Sequence, residues 1–144
     1  MKHFKFTNIY LGDQYELSKI PKNWYKIHVG SKFFPNSKEL KIYIDGNEMF
    51  VNWEDSSDEN DFKTNDLIKI LDFIYMYKNQ NLFIHCEYAQ SRSPAVLMAY
   101  LAKRTKILPD NFFDALEEFV KMYPKFVYPS GITKFLKTNW TLIK

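Results

Sequence analysis

A single cysteine, Cys86, stands in the whole chain, so no intramolecular disulfide can form, and such cysteine usage fits a reducing compartment. Long apolar runs are missing as well. The longest, Ala95 to Ala102, falls far short of the ~18–20 residues that a membrane span needs. The opening stretch Met1-Lys2-His3-Phe4-Lys5-Phe6 is broken by lysines and lacks the continuous apolar segment of a secretory signal. Together these absences predict an intracellular chain, cytoplasmic or, in a eukaryote, nuclear. The net charge of +3 is spread thinly, and without a dense basic run there is no footprint for nucleic acid. Internal repeats and low-complexity segments are lacking too.

What the chain has in quantity is core material. With 46% hydrophobic and 18% aromatic residues in 144, it reads as one domain over residues 1–144. Phe4 to Leu11 reads as short strands closed by Gly12-Asp13, and Gln14 to Ile20 as a short helix stopped by Pro21. Trp24 to Val29 alternates as a strand. Its His28 faces solvent or a polar partner, since no other residue with metal-ligand spacing accompanies it. Phe34 to Ser37 is a loop, and Leu40 to Ile44 and Glu48 to Trp53 form a hairpin about Asp45-Gly46. Leu67, Ile70, Leu71 and Ile74 recur at helical spacing within Phe62 to Tyr77. A strand follows at Asn81 to Ile84 and an apolar helix from Ala95. Pro109-Asp110 opens a further helix with Phe112, Leu116, Phe119, Val120 and Tyr123 as a core-facing stripe, and Pro129-Ser130-Gly131 turns into a closing helix over Ile132 to Leu136. A helix feeding a strand, loop and helix makes an α/β unit whose ligand site lies at the strand's carboxyl end.

At that end stand His85-Cys86-Glu87-Tyr88-Ala89-Gln90-Ser91-Arg92-Ser93-Pro94. A turn between strand and helix directs backbone N–H groups into one concavity at the positive end of the helix dipole, which suits a tetrahedral anion. A thiol has an ordinary pKa of about 8.5, and a helix N-terminus or a cationic neighbour brings it to roughly 3.5–7.5. Cys86 is therefore the candidate nucleophile. Arg92 would grip two oxygens of a phosphoryl group with its planar fork. Ser93 would set a hydroxyl beside the sulfur, with Ser91 the weaker candidate for that role.

His-Cys, five residues and then Arg-Ser resembles the signature of the cysteine-dependent protein tyrosine phosphatase superfamily, and the Ser-Arg-Ser ending in a short chain is most similar to its dual-specificity branch. The resemblance implies a single-domain α/β phosphatase fold with a central mixed sheet flanked by helices. It also implies a Cys nucleophile, a phosphate-cradling loop over Glu87, Tyr88, Ala89, Gln90, Ser91 and Arg92, and an Asp general acid on a separate upstream loop. No metal or cofactor is implied. Two positions depart from the pattern: Tyr88-Ala89 stands where the branch commonly has Ala-Gly. If the second of these needs φ > 0, alanine there costs on the order of 1 kcal/mol.

The family keeps its acid roughly thirty residues before the cysteine, and Asp55 lies 31 before Cys86 in the acidic run Glu54 to Asp61. Asp55 is thus the first candidate, with Asp58 its main rival and Glu54 behind, while Asp61 suits a helix cap. His85 is expected to bond near the Cys86 backbone and hold the loop's shape. The implied substrate is a phosphorylated protein, hydrolysed at phosphotyrosine and at phosphoserine or phosphothreonine through a phosphocysteine. A phosphate-binding module without catalysis, or a phosphoinositide or RNA 5′-phosphatase, are the alternatives. The absence of lysine and arginine from residues 87–91 leans toward phosphoprotein.

Overall fold

In the computed structural model, which describes residues 1–35 and 40–144, six strands form one mixed sheet. In chain order they are β1 (Lys2–His3), β2 (Ile9–Gly12), β3 (Tyr25–Val29), β4 (Ile42–Asp45), β5 (Glu48–Val51) and β6 (Leu82–His85). Their order across the sheet is β1-β2-β6-β3-β5-β4. The inner four run parallel, and β6, flanked on both sides, is buried along its whole length. That is why Leu82-Phe83-Ile84 reads as a continuous apolar run instead of an alternation. The two outer strands are antiparallel to their neighbours, and β4 joins β5 through a turn in which Gly46 adopts φ 61°.

Four helices follow: α1 (Thr64–Met76), α2 (Arg92–Lys103), α3 (Phe112–Met122) and α4 (Gly131–Asn139). Leu67, Ile70, Leu71 and Ile74 form the buried stripe of α1. Helix α2 is buried from Arg92 to Ala102 because α1, α3 and α4 all pack on it and β6 lies beneath it. Ser130 and Thr133 close a reciprocal capping box that starts α4.

The two sheet faces differ in chemistry. Ile9, Leu11, Ile27, Val29, Met49, Val51, Leu82 and Ile84 share one core with the helices. The opposite face carries Phe83, His85, His28 and Phe50, with Phe33 against His85. Among the described residues, no helix is long and apolar enough to cross a membrane.

Several boundaries differ from the sequence reading. The short strands expected over Phe4 to Leu11 lie at Lys2–His3 and Ile9–Gly12, and the turn between them has Phe6, not Asn8, at positive φ (67°), while Phe4 still donates its N–H to Ile9 O and sets its ring in the core. The helix expected over Gln14 to Ile20 is only one 3₁₀ turn at Leu17–Lys19, preceded by a turn in which the Asp13 carboxylate accepts from the N–H groups of Tyr15 and Glu16. Strand β5 stops at Val51 and not at Trp53, whose carbonyl leaves the ladder to accept from Ser31 N–H and Arg92 Nη1. Helix α3 starts at Phe112 rather than at Pro109-Asp110, since Asn111 supplies the capping oxygen to Asp114 N–H. Of the two surroundings expected for His28, solvent or a polar partner, the structure has the second: the ring is buried between His85 and Glu48 on the aromatic face. Of the loop expected at Phe34 to Ser37, Asn36 and Ser37 lie outside the described residues.

Candidate active site

All four parallel strands point their carboxyl ends at one place, and Cys86 is the first residue beyond β6. Residues 87–91 curve from there to Arg92, the first residue of α2. Three carbonyls of this loop are tied outward: Glu87 O accepts from Gln14 N at 3.1 Å, Ala89 O from the Tyr123 hydroxyl at 2.5 Å, and Gln90 O from Val127 N at 2.7 Å. In a trans peptide the N–H opposes the C=O, so the amides of Tyr88, Gln90 and Ser91 are turned to the loop's concave side. Ala89 makes the turn possible at φ 57°. Its conformation is the left-handed one, which an alanine adopts at a cost of roughly 1–2 kcal/mol.

Within this concavity the Ser93 hydroxyl donates to Cys86 Sγ at 3.0 Å. Arg92 is buried, with Nη1 donating to Trp53 O at 2.9 Å and Nη2 3.5 Å from Glu87 Oε1. Among the described residues its Nε has no partner, although it is fully enclosed. A guanidinium anchored through both Nη groups, with Nε unclaimed, keeps a donor suited to an oxyanion. A cavity of about 280 Å³ opens above, lined by Cys86, Tyr88, Gln90, Ser91 and Arg92 below and by Asp55, Ser56, Ser57, Val127 and Lys134 around the mouth. Tyr88 is more than half exposed, so its bulk stands outside the loop. Ser91 Oγ is buried without a partner among the described residues and makes no bond to the sulfur, in contrast to Ser93.

Of the acidic run, Asp55 lines the cavity. Asp58 turns its carboxylate back onto Asn60 N–H and caps the 3₁₀ turn Glu59–Asp61. Asp61 accepts from Ser56 Oγ at 2.5 Å, and Glu54 lines a separate hollow with Lys41 and Asn52. The run is held to the site by a close approach of backbones. A Cβ on Gly131 would lie 2.0 Å from Ser56 O, so glycine lets α4 press against the loop that carries Asp55.

Behind Cys86, His85 is fully buried, its Nδ1 3.2 Å from Cys86 O and its Nε2 2.6 Å from His28 Nδ1. Burial, helped by the neighbouring His28, pushes His85 down to about 3, so the ring is neutral. Tyr123 is pushed up to about 12, chiefly by burial and secondarily by negative charge at Cys86, and stays a hydroxyl donor. In the sequence Tyr123 reads as a core aromatic, and nothing there singles out Lys134 or Gln14. Helical spacing marks Tyr123 and Lys134 only as members of a face, and nothing local says which loop that face meets.

No protein-family model matches the chain, and no curated protein matches its sequence. Solved structures do match over most of its length. DUSP15 superposes with a TM-score of 0.70 at 16% identity, covering 96% of this chain and 86% of that one. Tk-PTP in its active form gives 0.65 at 18%, covering 92% and 91%. PTPMT1, solved in complex with PI(5)P, gives 0.57 at 19%, covering 84% and 79%. A six-stranded mixed sheet with the cysteine loop at its carboxyl edge, matched nearly end to end by these structures, gives this chain the fold of the small dual-specificity branch of the cysteine-dependent phosphatases.

Proposed function

We propose that this chain is a phosphomonoester hydrolase that removes phosphate from phosphorylated protein, at tyrosine and at serine or threonine, through a phosphocysteine. The observation that carries the reading is the Ser93 hydroxyl on Cys86 Sγ at 3.0 Å, inside a cavity that Arg92 and Asp55 also line.

The Cys86 thiolate attacks phosphorus in line and the bond from phosphorus to the substrate oxygen breaks. The Asp55 carboxylic acid gives its proton to that leaving oxygen, a service worth about 10²–10⁴-fold. Arg92 and the inward amides of Tyr88, Gln90 and Ser91 hold the equatorial oxygens throughout. Asp55, now a carboxylate, next takes a proton from water as that water attacks phosphorus. The sulfur–phosphorus bond breaks, the thiolate leaves toward the Ser93 hydroxyl, and inorganic phosphate is released.

The test is hydrolysis of an aryl phosphate by the wild type and by Cys86→Ser, with the rate expected to fall to background. Undiminished turnover in the variant would refute the mechanism. For the substrate class, initial rates on matched phosphotyrosine and phosphothreonine peptides are compared with those on a phosphoinositide. Both peptides are expected to be hydrolysed, with the phosphoinositide slower, because residues 87–91 carry no cation to hold additional phosphates. A peptide ratio above about 10⁴ would assign a dedicated phosphotyrosine slot instead.

A further inference from the structure

On the sheet face away from the helices, three side chains from three strands form a line that ends at the nucleophile's own backbone. Glu48 Oε1 on β5 lies 2.9 Å from His28 Nε2 on β3, His28 Nδ1 lies 2.6 Å from His85 Nε2 on β6, and His85 Nδ1 lies 3.2 Å from Cys86 O. His28 and His85 are direct register partners in the parallel ladder. Phe50 stacks on His28 at 4.5 Å, and Phe33 closes over His85 at 4.7 Å, so the two rings are sealed from water.

Counting protons along this line gives an unexpected constraint. A carbonyl only accepts, so the contact at Cys86 O requires His85 to carry its proton on Nδ1. With His85 neutral, its Nε2 is then an acceptor and His28 Nδ1 must donate. A carboxylate also only accepts, so the contact at Glu48 requires His28 Nε2 to donate as well. All three hydrogen bonds exist together only when the Glu48–His28 pair holds one proton more than a carboxylate and a neutral imidazole. Without it, one contact is lost. The bond to the charged carboxylate is the stronger kind, whereas the contact at Cys86 O is the longest of the three. The break therefore falls at the nucleophile, with His28 keeping its proton on Nε2 and His85 moving its own to Nε2.

We propose that Glu48 and His28 are positioning residues for Cys86, acting through His85, whose tautomer they switch by the gain or loss of a single proton. This rests on the reading of Cys86 as the reactive nucleophile. With the extra proton the Cys86 carbonyl is held by His85, and without it that tie to the phosphate loop is released.

The charges around the pair set where the proton leaves. Burial lowers the affinity of His28 for it, Glu48 raises it, and Lys26 on the same strand lowers it, with burial the largest effect. From β2, Gly12 is the partner opposite His85 and brings no charge, whereas from β4 the Asp45 carboxylate is the partner opposite Glu48 and favours keeping the proton, without outweighing burial. Lys32, beside Phe33, is turned to Gln14 Oε1, and Glu16 is paired with the amino terminus of Met1. The proton is accordingly lost on the acid side of the ordinary imidazole range, and at neutral pH the line is one bond short.

Glu48→Gln separates the proposal from a plain packing role. A glutamine amide can donate to His28 Nε2, which lets neutral His28 donate from Nδ1 and His85 donate to Cys86 O, completing the line with no extra proton. The experiment is ¹⁵N and ¹³C NMR of the full chain, reading the histidine ring nitrogens and the Cys86 carbonyl. At pH 7.5, wild-type His85 is expected as the Nε2–H tautomer and E48Q His85 as Nδ1–H, with the Cys86 carbonyl resonance moved downfield in the variant. On lowering the pH the wild type is expected to move to the E48Q pattern. The same His85 tautomer in both proteins at pH 7.5, or a wild type whose His85 does not change as His28 titrates, overturns the proposal. These resonances need no turnover, so they stand apart from the aryl phosphate assay that tests the phosphatase reading.

Discussion

Tyr123 donates its hydroxyl hydrogen to the carbonyl of Ala89 at 2.5 Å, joining the end of α3 to the one left-handed residue of the loop between Cys86 and Arg92. The bond holds that peptide so that the Gln90 N–H faces the cavity. Tyr123→Phe keeps the ring in the core and removes only this donor. Its stability in urea unfolding is expected to fall by about 1–2 kcal/mol, the cost of an abandoned buried acceptor. Its kcat/KM on an aryl phosphate is expected to fall by about tenfold, as one oxyanion donor loses its aim. Unchanged kinetics would mean that the loop holds its shape without the tyrosine.

Ala89 itself sits at φ 57°, where its Cβ crowds the backbone and glycine is at ease. Ala89→Gly is therefore expected to stabilise the fold by roughly 1 kcal/mol, the relief of the left-handed strain exceeding the entropy that glycine adds to the unfolded chain. The check is the denaturation midpoint at unchanged slope. A lower midpoint would show that Tyr123 and the neighbouring loop contacts already compensate the strain.

Gly131 has the opposite requirement, since a methyl group there would meet the Ser56 carbonyl at 2.0 Å. Backbone cannot yield as a flexible side chain does, so Gly131→Ala should push the Asp55 loop outward. In the proposed mechanism Asp55 serves the leaving oxygen, so the loss is expected to depend on leaving group. It should be small for a nitrophenyl phosphate and about 10²-fold or more for a phosphothreonine peptide. An equal loss on both substrates would detach the Asp55 loop from proton donation.

The buried His85 makes stability depend on pH in a defined direction. Its folded-state value is about 3 against 6.5 for a free ring, so between those values the unfolded chain binds a proton that the folded chain refuses. Stability from this group is complete above pH 6.5 and drops on acidification toward pH 3, by about 1.4 kcal/mol per pH unit. His28 is lowered as well and adds in the same sense. Urea midpoints at pH 4.5, 5.5, 6.5 and 7.5 measure this. A midpoint that holds level down to pH 4.5 would contradict the neutral, buried ring.

Much of the scaffold could be read along the chain because its signals are local. The apolar run at Leu82 to Ile84, the stripe at Leu67 to Ile74 and the glycine turn at Asp45-Gly46 each report their own element through periodicity or turn chemistry. Boundaries were less legible where a side chain's acceptor on nearby N–H groups sets them, as Asp13 does at Tyr15 and Glu16 and Asn111 does at Asp114. Choosing among Glu54, Asp55 and Asp58 had only distance along the chain to go on. In the fold the three separate, because Asp58 spends its carboxylate on a cap and Glu54 faces another hollow.

By itself the sequence determined the parts whose neighbours are contiguous: the strand that ends at Cys86, the helix that begins at Arg92, and the five residues between them that bring thiol and guanidinium to one loop. Only the tertiary structure decided what surrounds that loop. Tyr123 on Ala89, Gly131 under Ser56, and the line from Glu48 through His28 to His85 all join residues far apart in the chain. Periodicity tells which face of a helix or strand is buried, but which partner it is buried against depends on strand order and register. Those are settled only when the whole sheet assembles.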